Sequence, residues 1–136
     1  MVFNPGLELN QVIDNDDLCS IFKCSPQGGM RRSHRTNTLV LISDYTKGIY
    51  PDKWIEGVLN YVGMGLTGDQ KLDHAQNRTL NRSQTNGVKV YLFEVSHKGQ
   101  YTYRGEVKLV GKPYTKSQPD IEGNNRNIWI FPLKVV

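Results

Sequence analysis

Cysteine is scarce in this chain of 136 residues, where only Cys19 and Cys24 occur. Two thiols cannot build a disulfide framework, and a zinc site would need two further ligands nearby that the sequence does not offer. They read as ordinary thiols. Histidine is as thin: His34, His74 and His97 are scattered, without metal-ligand spacing and without a serine or cysteine partner for triad work. The run from His74 to Asn77 lacks the second histidine and the surrounding signals of an HNH nuclease. No apolar run approaches the roughly 20 residues that span a bilayer. The start, MVFNPGLELN, lacks the basic and apolar regions of a signal peptide, so cytoplasmic residence is expected. Internal repeats and low-complexity tracts are missing as well.

Basic residues are absent from the beginning of the chain. Residues 1–22 hold Glu8, Asp14, Asp16 and Asp17 but no Lys or Arg, which leaves nine acids against all 17 basic residues in the remainder. The net charge of +4 therefore understates how basic the body is, and a polyanion is a reasonable partner. With 38% hydrophobic and 22% charged residues the composition is that of an ordinary globular protein. The length fits a single domain over 1–136, with an opening segment of about 1–27.

What is present divides into short apolar runs and polar loops. Asn15-Asp16-Asp17 predicts a helix start with Leu18, Ile21 and Phe22 on its apolar side. Ser25 to Gly29 is loop-like, and Arg31, Arg32, His34 and Arg35 follow directly. That basic group is either a solvated turn or a loop whose guanidinium groups contact phosphates. Thr38 to Ser43 and Val88 to Val95 are apolar at both parities and predict strands buried on both faces. Tyr101, Tyr103, Val107 and Leu109 alternate as a further strand, with Gly105 at a place for a bulge. Residues 111–127 are polar and aperiodic and predict a loop, before a closing strand from Ile128 to Lys134. The sum is an α+β domain whose curved sheet closes partly into a barrel with short flanking helices.

The stretch from Tyr61 to Ser83, YVGMGLTGDQKLDHAQNRTLNRS, is the most distinctive. Gly63, Gly65 and Gly68 let the backbone turn and approach another molecule. Asp69 is placed to cap a helix through Leu72, Ala75 and Leu80, while Lys71, Gln76, Asn77, Arg78, Asn81 and Arg82 supply donors suited to phosphates. Together with VKVYLFEV, YTYRGEVKLV and IWIFPLK, in that order, this stretch resembles the SRA domain, also called YDG. That PUA-like module binds modified cytosine in DNA. The family pattern ends in Tyr-x-Tyr-Asp-Gly, and this chain has Arg104 where the Asp stands.

The resemblance implies a pocket for a base flipped out of the duplex and a hydrogen-bond partner for its Watson–Crick edge. Its aromatic walls fall on Tyr45 and Tyr61. Counting back from Tyr61 places the acid that accepts from the cytosine amine at Asp52; counting forward from Tyr45 lands on Gly48, because this chain has four extra residues between the aromatics, and Asp44 is the reserve. A carboxylate accepts amine hydrogens and repels the carbonyl oxygen of thymine. Val62 stands where the family has Thr, beside the base's 5-substituent, and Gln27 is placed to fill the vacated site in the duplex. The competing account is that Tyr45 and Tyr61 fill the core and Asp52 caps a turn.

The resemblance further implies double-stranded DNA carrying 5-methylcytosine or 5-hydroxymethylcytosine as partner, contacted by Gln27, Arg31, Arg32, His34, Arg35, Lys71, Arg78 and Arg82. No cofactor, metal or membrane is expected. The short Gly-rich loop, Met64 to Gly68, implies weak discrimination between hemi- and fully methylated DNA. Catalysis is expected in a fused or partner nuclease domain of HNH or other type, as in type IV-like restriction enzymes. Two alternatives remain: a PUA-like module for RNA or single strands, using the same aromatics for stacking, and a metal-dependent PD-(D/E)xK nuclease built on Asp52, Glu106 and Lys108.

Overall fold

A computed structural model describes residues 3–47 and 52–136. The chain runs β1 (Val12–Ile13), α1 (Asn15–Phe22), β2 (Met30–Ser33), β3 (Thr38–Asp44), β4 (Lys53–Ile55), β5 (Val58–Val62), α2 (Ala75–Asn81), β6 (Lys89–His97), β7 (Gln100–Leu109), β8 (Tyr114–Pro119) and β9 (Asn125–Val135). The strands order as β2-β3-β6-β7-β9-β5-β4, with β1 beside β7 and β8 beside β9. Only the β3–β6 pair is parallel among the described residues.

Alternation along the strands sorts the apolar residues into two cores. Leu39, Leu41, Leu59, Tyr61, Val90, Leu92, Phe131 and Leu133 pack together as one. Val40, Ile42, Tyr91, Phe93, Val95 and Tyr103 turn the other way and are covered by Leu18 and Phe22. This is why the β3 and β6 segments read as continuous apolar runs. Helix α1 is set down there by Asp14, whose side chain accepts from the Asp17 N–H at 2.8 Å. Leu18 and Phe22 are fully buried, each worth about 1.5–3 kcal/mol of transfer free energy.

The sheet curls until its ends nearly meet. Tyr61 on β5 brings its hydroxyl within 2.7 Å of the Gly29 carbonyl and 3.2 Å of the Ile42 carbonyl on β3. Yet β3 and β5 are not paired, and the strand path stays open. The result is a partly closed barrel with a seam. The bulge falls at Gly105, where the β6–β7 register shifts between Leu92 and Phe93 and Gly105 adopts φ +101°.

Three local expectations change. Residues 30–33, read as part of a loop, form β2 against β3. The polar stretch 111–127 contains β8, an edge strand whose backbone ladder is with β9 and which is exposed along most of its length, so it carries no apolar pattern. Helix α2 begins at Ala75 instead of Asp69, because the Asp69 carboxylate accepts from the Asn127 N–H at 2.7 Å and so serves the β9 end.

Candidate functional site

The seam encloses a cavity of about 640 Å³. Ile42 and Asp44 of β3 form one side and Tyr61 and Val62 of β5 the other, with Gln27 to Arg31, Met64 to Leu66, Lys47 and Tyr101 completing the lining. Asp52 stands at the join. Its Oδ2 accepts from the Ser43 hydroxyl at 2.7 Å and its Oδ1 from the Val62 N–H at 2.7 Å, so one carboxylate links the two strands that share no ladder. Burial pushes its carboxyl up to about 6, with the Glu94 charge adding to the rise and the two donors pulling against it. Each oxygen keeps a lone pair for a ligand.

The glycine loop that borders the cavity is held from below. Gln70 donates to the Gly63 carbonyl at 2.7 Å and the Gly65 carbonyl at 3.2 Å, and accepts from the Trp129 N–H. Asn77, fully buried, accepts from the Met64 N–H and donates to the Met64 and Lys71 carbonyls. Arg126 reaches the Gly65 and Gly68 carbonyls. A Cβ on Gly63 would lie 2.7 Å from Asn77 Oδ1, so glycine is required where the loop leaves β5. Asn77 is thus a loop brace and not a phosphate donor.

Comparison with known proteins bears on this arrangement. The profile of the ScoMcrA-like SRA domain family matches residues 10–136. The chain belongs to that family. Comparison with curated proteins gives no match. Among solved structures, the SRA domain is similar to the sulfur binding and SRA domains of ScoMcrA complexed with phosphorothioated DNA, with a TM-score of 0.77 at 23% identity, covering 96% of this chain and 40% of that one. It is similar to the DNA recognition domain of the cytosine modification-dependent restriction endonuclease LpnPI, with a TM-score of 0.74 at 16% identity, covering 99% and 76%. A third is SUVH5 SRA bound to fully hydroxymethylated CG DNA, with a TM-score of 0.71 at 20% identity, covering 100% and 94%. The chain spans 40% and 28% of the two ScoMcrA chains it matches.

Within this SRA domain the sequence-predicted residues separate into groups. Tyr61, Asp52, Val62, Asp44 and Gln27 all line the cavity. Tyr45 does not: its ring is 40% exposed and its hydroxyl donates to Glu94 Oε2 at 2.5 Å. Tyr45 is therefore not a wall of this cavity among the described residues. Tyr101 lines the cavity instead, with the Arg31 guanidinium 5.7 Å from its ring centroid. Arg31 is buried and donates to Asn15 Oδ1 at 2.6 Å and the Gly28 carbonyl at 2.9 Å, so it builds the cavity wall where a phosphate clamp was expected. Arg32 closes the β2–β3 turn through Ser33, Asn37 and Thr38. His34, Arg35, Lys71, Arg78 and Arg82 are exposed and lie outside the lining, Arg82 with Asp73 at 3.9 Å. Gly48 and Pro51, which entered the counting and the nuclease pattern, lie outside the described residues.

The SRA domain does not assemble the nuclease set. Glu106 pairs with Tyr91 across β6 and β7 and faces Lys89 at 3.9 Å, and neither Glu106 nor Lys108 lines the cavity of Asp52. Among the described residues, no group of three His, Cys, Asp or Glu side chains is placed to hold a metal ion. Nor is any helix among them long and apolar enough to cross a membrane.

Sequence reasoning missed Glu94, Gln70 and Tyr101. Glu94 sits inside the apolar run of β6, where its two flanking phenylalanine and valine residues mask it. It is 8% exposed and accepts from Tyr45, from Trp54 Nε1 at 3.1 Å and from Arg104 Nε at 2.7 Å. Burial alone would raise its carboxyl, but those three donors and the Arg104 charge outweigh it and hold the group below its ordinary value. The signal available was Arg104 itself, the departure from the family motif.

Proposed function

We propose that this domain binds double-stranded DNA and takes a flipped 5-methylcytosine or 5-hydroxymethylcytosine into the seam cavity, as the recognition part of a modification-dependent restriction endonuclease. The observation that carries it is Asp52: a buried carboxylate with free acceptor capacity, set in a roomy cavity at the open seam. Tyr101 supplies aromatic surface for the base, Tyr61, buried and fixed by its hydroxyl, backs the cavity, and Asp52 accepts a hydrogen bond from the exocyclic amine. Val62 faces the 5-substituent, and Gln27 enters the vacated position in the duplex. Extruding a base costs a few kcal/mol, and these contacts repay it.

His34, Arg35, Lys71, Arg78 and Arg82 are exposed and available to phosphates, so affinity falls steeply as salt rises. Support also comes from the relatives, whose structures hold phosphorothioated and hydroxymethylated DNA. Strand cleavage belongs to a separate nuclease domain of HNH or other type, and this domain works in the cytoplasm.

A titration at fixed salt with duplexes differing only in one cytosine tests the proposal. Modified duplex should bind at least about tenfold tighter than plain duplex, and Asp52→Asn should erase most of that margin, since a hydrogen bond to a charged group is worth about 1.5–3 kcal/mol. Equal affinity for modified and plain duplex, or tighter binding of unmodified RNA, overturns it.

A further inference from the structure

Glu94 plays no part in the cavity lining, yet two of its three partners, Tyr45 and Trp54, lie in the chain before and after Asp52. Tyr45 follows directly on β3, and Trp54 sits in the middle of β4. Both donate to the same oxygen, Oε2, at 2.5 Å and 3.1 Å, while Oε1 takes Arg104. One side chain on β6 thereby grips the chain on both sides of Asp52. The two flanks differ in what else holds them: the Tyr45 backbone N–H also donates to the Val95 carbonyl at 2.9 Å, whereas β4 is three residues long, exposed, and paired among the described residues with β5 alone, so its ladder holds it weakly in place.

We propose that Glu94 is a positioning residue: by holding Tyr45 and Trp54 on one carboxylate oxygen it ties β4 at Trp54, two residues from Asp52, to the end of β3 and so keeps Asp52 in place at the cavity. Asp52 makes two 2.7 Å bonds to two different strands, and such geometry survives only displacements of a few tenths of an ångström. Arg104 keeps Glu94 ionised and therefore able to accept from both aromatic donors. An acid at position 104 would face Glu94 with like charge. The inference rests on the base-pocket reading of Asp52.

The test uses the full 136-residue chain and a double variant, Tyr45→Phe with Trp54→Phe, which keeps an aromatic ring at each position and the Arg104 partner of Glu94 while removing both donors. Both rings are about 40% exposed, so the fold should survive the exchange. The first measurement is the titration midpoint of the Asp52 carboxyl, followed by carbon NMR. The groups acting on Asp52 are Ser43, Val62, Glu94, Tyr45 and Tyr61, with Asp44, Lys47 and Arg31 sharing its cavity; losing both donors also raises the Glu94 carboxyl, so the Glu94 titration is followed in the same spectra and the Asp52 midpoint is compared with that of Glu94→Gln, which removes the charge outright. Loosening the segment admits water, so the midpoint should fall from about 6 toward the ordinary carboxylate range. The second measurement is the preference for modified over plain duplex, expected to fall at least about fivefold, the equivalent of one hydrogen bond, with plain-duplex affinity unchanged. A loss confined to folding stability would move neither.

An unmoved midpoint overturns the proposal, as does an intact preference in the double variant when Asp52→Asn has lost it. If Asp52→Asn itself keeps the preference, the base-pocket reading fails instead, and the midpoint alone decides for or against the clasp.

Discussion

Two carboxylates at the open end of the barrel, Asp52 and Glu94, are each 8% exposed, and their acidities move in opposite directions. Asp52 has two neutral donors, a serine hydroxyl and a backbone N–H, and these do not offset its desolvation. Glu94 has a phenol, an indole and a guanidinium, and they do. Desolvation and donor supply decide the charge of an acid here together: Asp52 is the more deeply desolvated of the two and has the fewer donors. The under-supplied acid faces the cavity, where a ligand can complete its coordination, and the fully supplied one stands behind it in the scaffold.

The largest test of that contrast is Asp52→Asn, read through the pH dependence of stability. With its folded pKa raised from 3.8 to about 6, Asp52 favours the folded state below about pH 4, and that favour drains away as pH climbs through 6. The shift is worth on the order of 3 kcal/mol. Urea denaturation should show the wild type losing that much relative to the Asn variant across this window. Glu94 has the reverse slope: its depressed pKa stabilises the fold above the unfolded value of 4.5, and the contribution is lost as pH falls below it. A flat difference between the two proteins would mean that Asp52 is not buried as described.

Arg104→Gln comes next, removing the cation from Glu94. Because the Arg104 side chain is 38% exposed, the cost should be about 1.5 kcal/mol, with the Glu94 carboxyl moving up toward the behaviour of Asp52. Ser43→Ala should cost about 1 kcal/mol and drive the Asp52 midpoint higher still, since one of its two donors is gone. Trp54→Phe has the smallest effect, below about 1 kcal/mol in thermal unfolding, because two donors remain on Glu94 and the indole is partly exposed.

Much of the fold is legible where burial is two-sided. The β3 and β6 runs and the end of β9 announce themselves because both faces meet a core, and α1 does so through its acidic start. Strand β8 is silent for the opposite reason: backbone pairing with β9 holds it, and side chains along TKSQP contribute nothing apolar. Tyr61, Asp52 and Val62, picked out by spacing within the motif, and Gln27, picked out from the loop before Met30, line one cavity. Tyr45 is misplaced because spacing cannot tell a ring that faces a cavity from one whose hydroxyl is captured by a carboxylate 49 positions away. Arg31 fails similarly: a guanidinium in a basic run looks solvent-facing until Asn15, from a helix far upstream in sequence, turns out to hold it.

The missing ladder between β3 and β5 has a bearing on how such a domain changes over generations. Where neighbouring strands pair, an inserted residue shifts every partner beyond it; across an unladdered gap, bridged by the side chain of Asp52, added residues disturb no register. Recognition can be rewritten there by length as well as by substitution, while the barrel that carries it stays as it was.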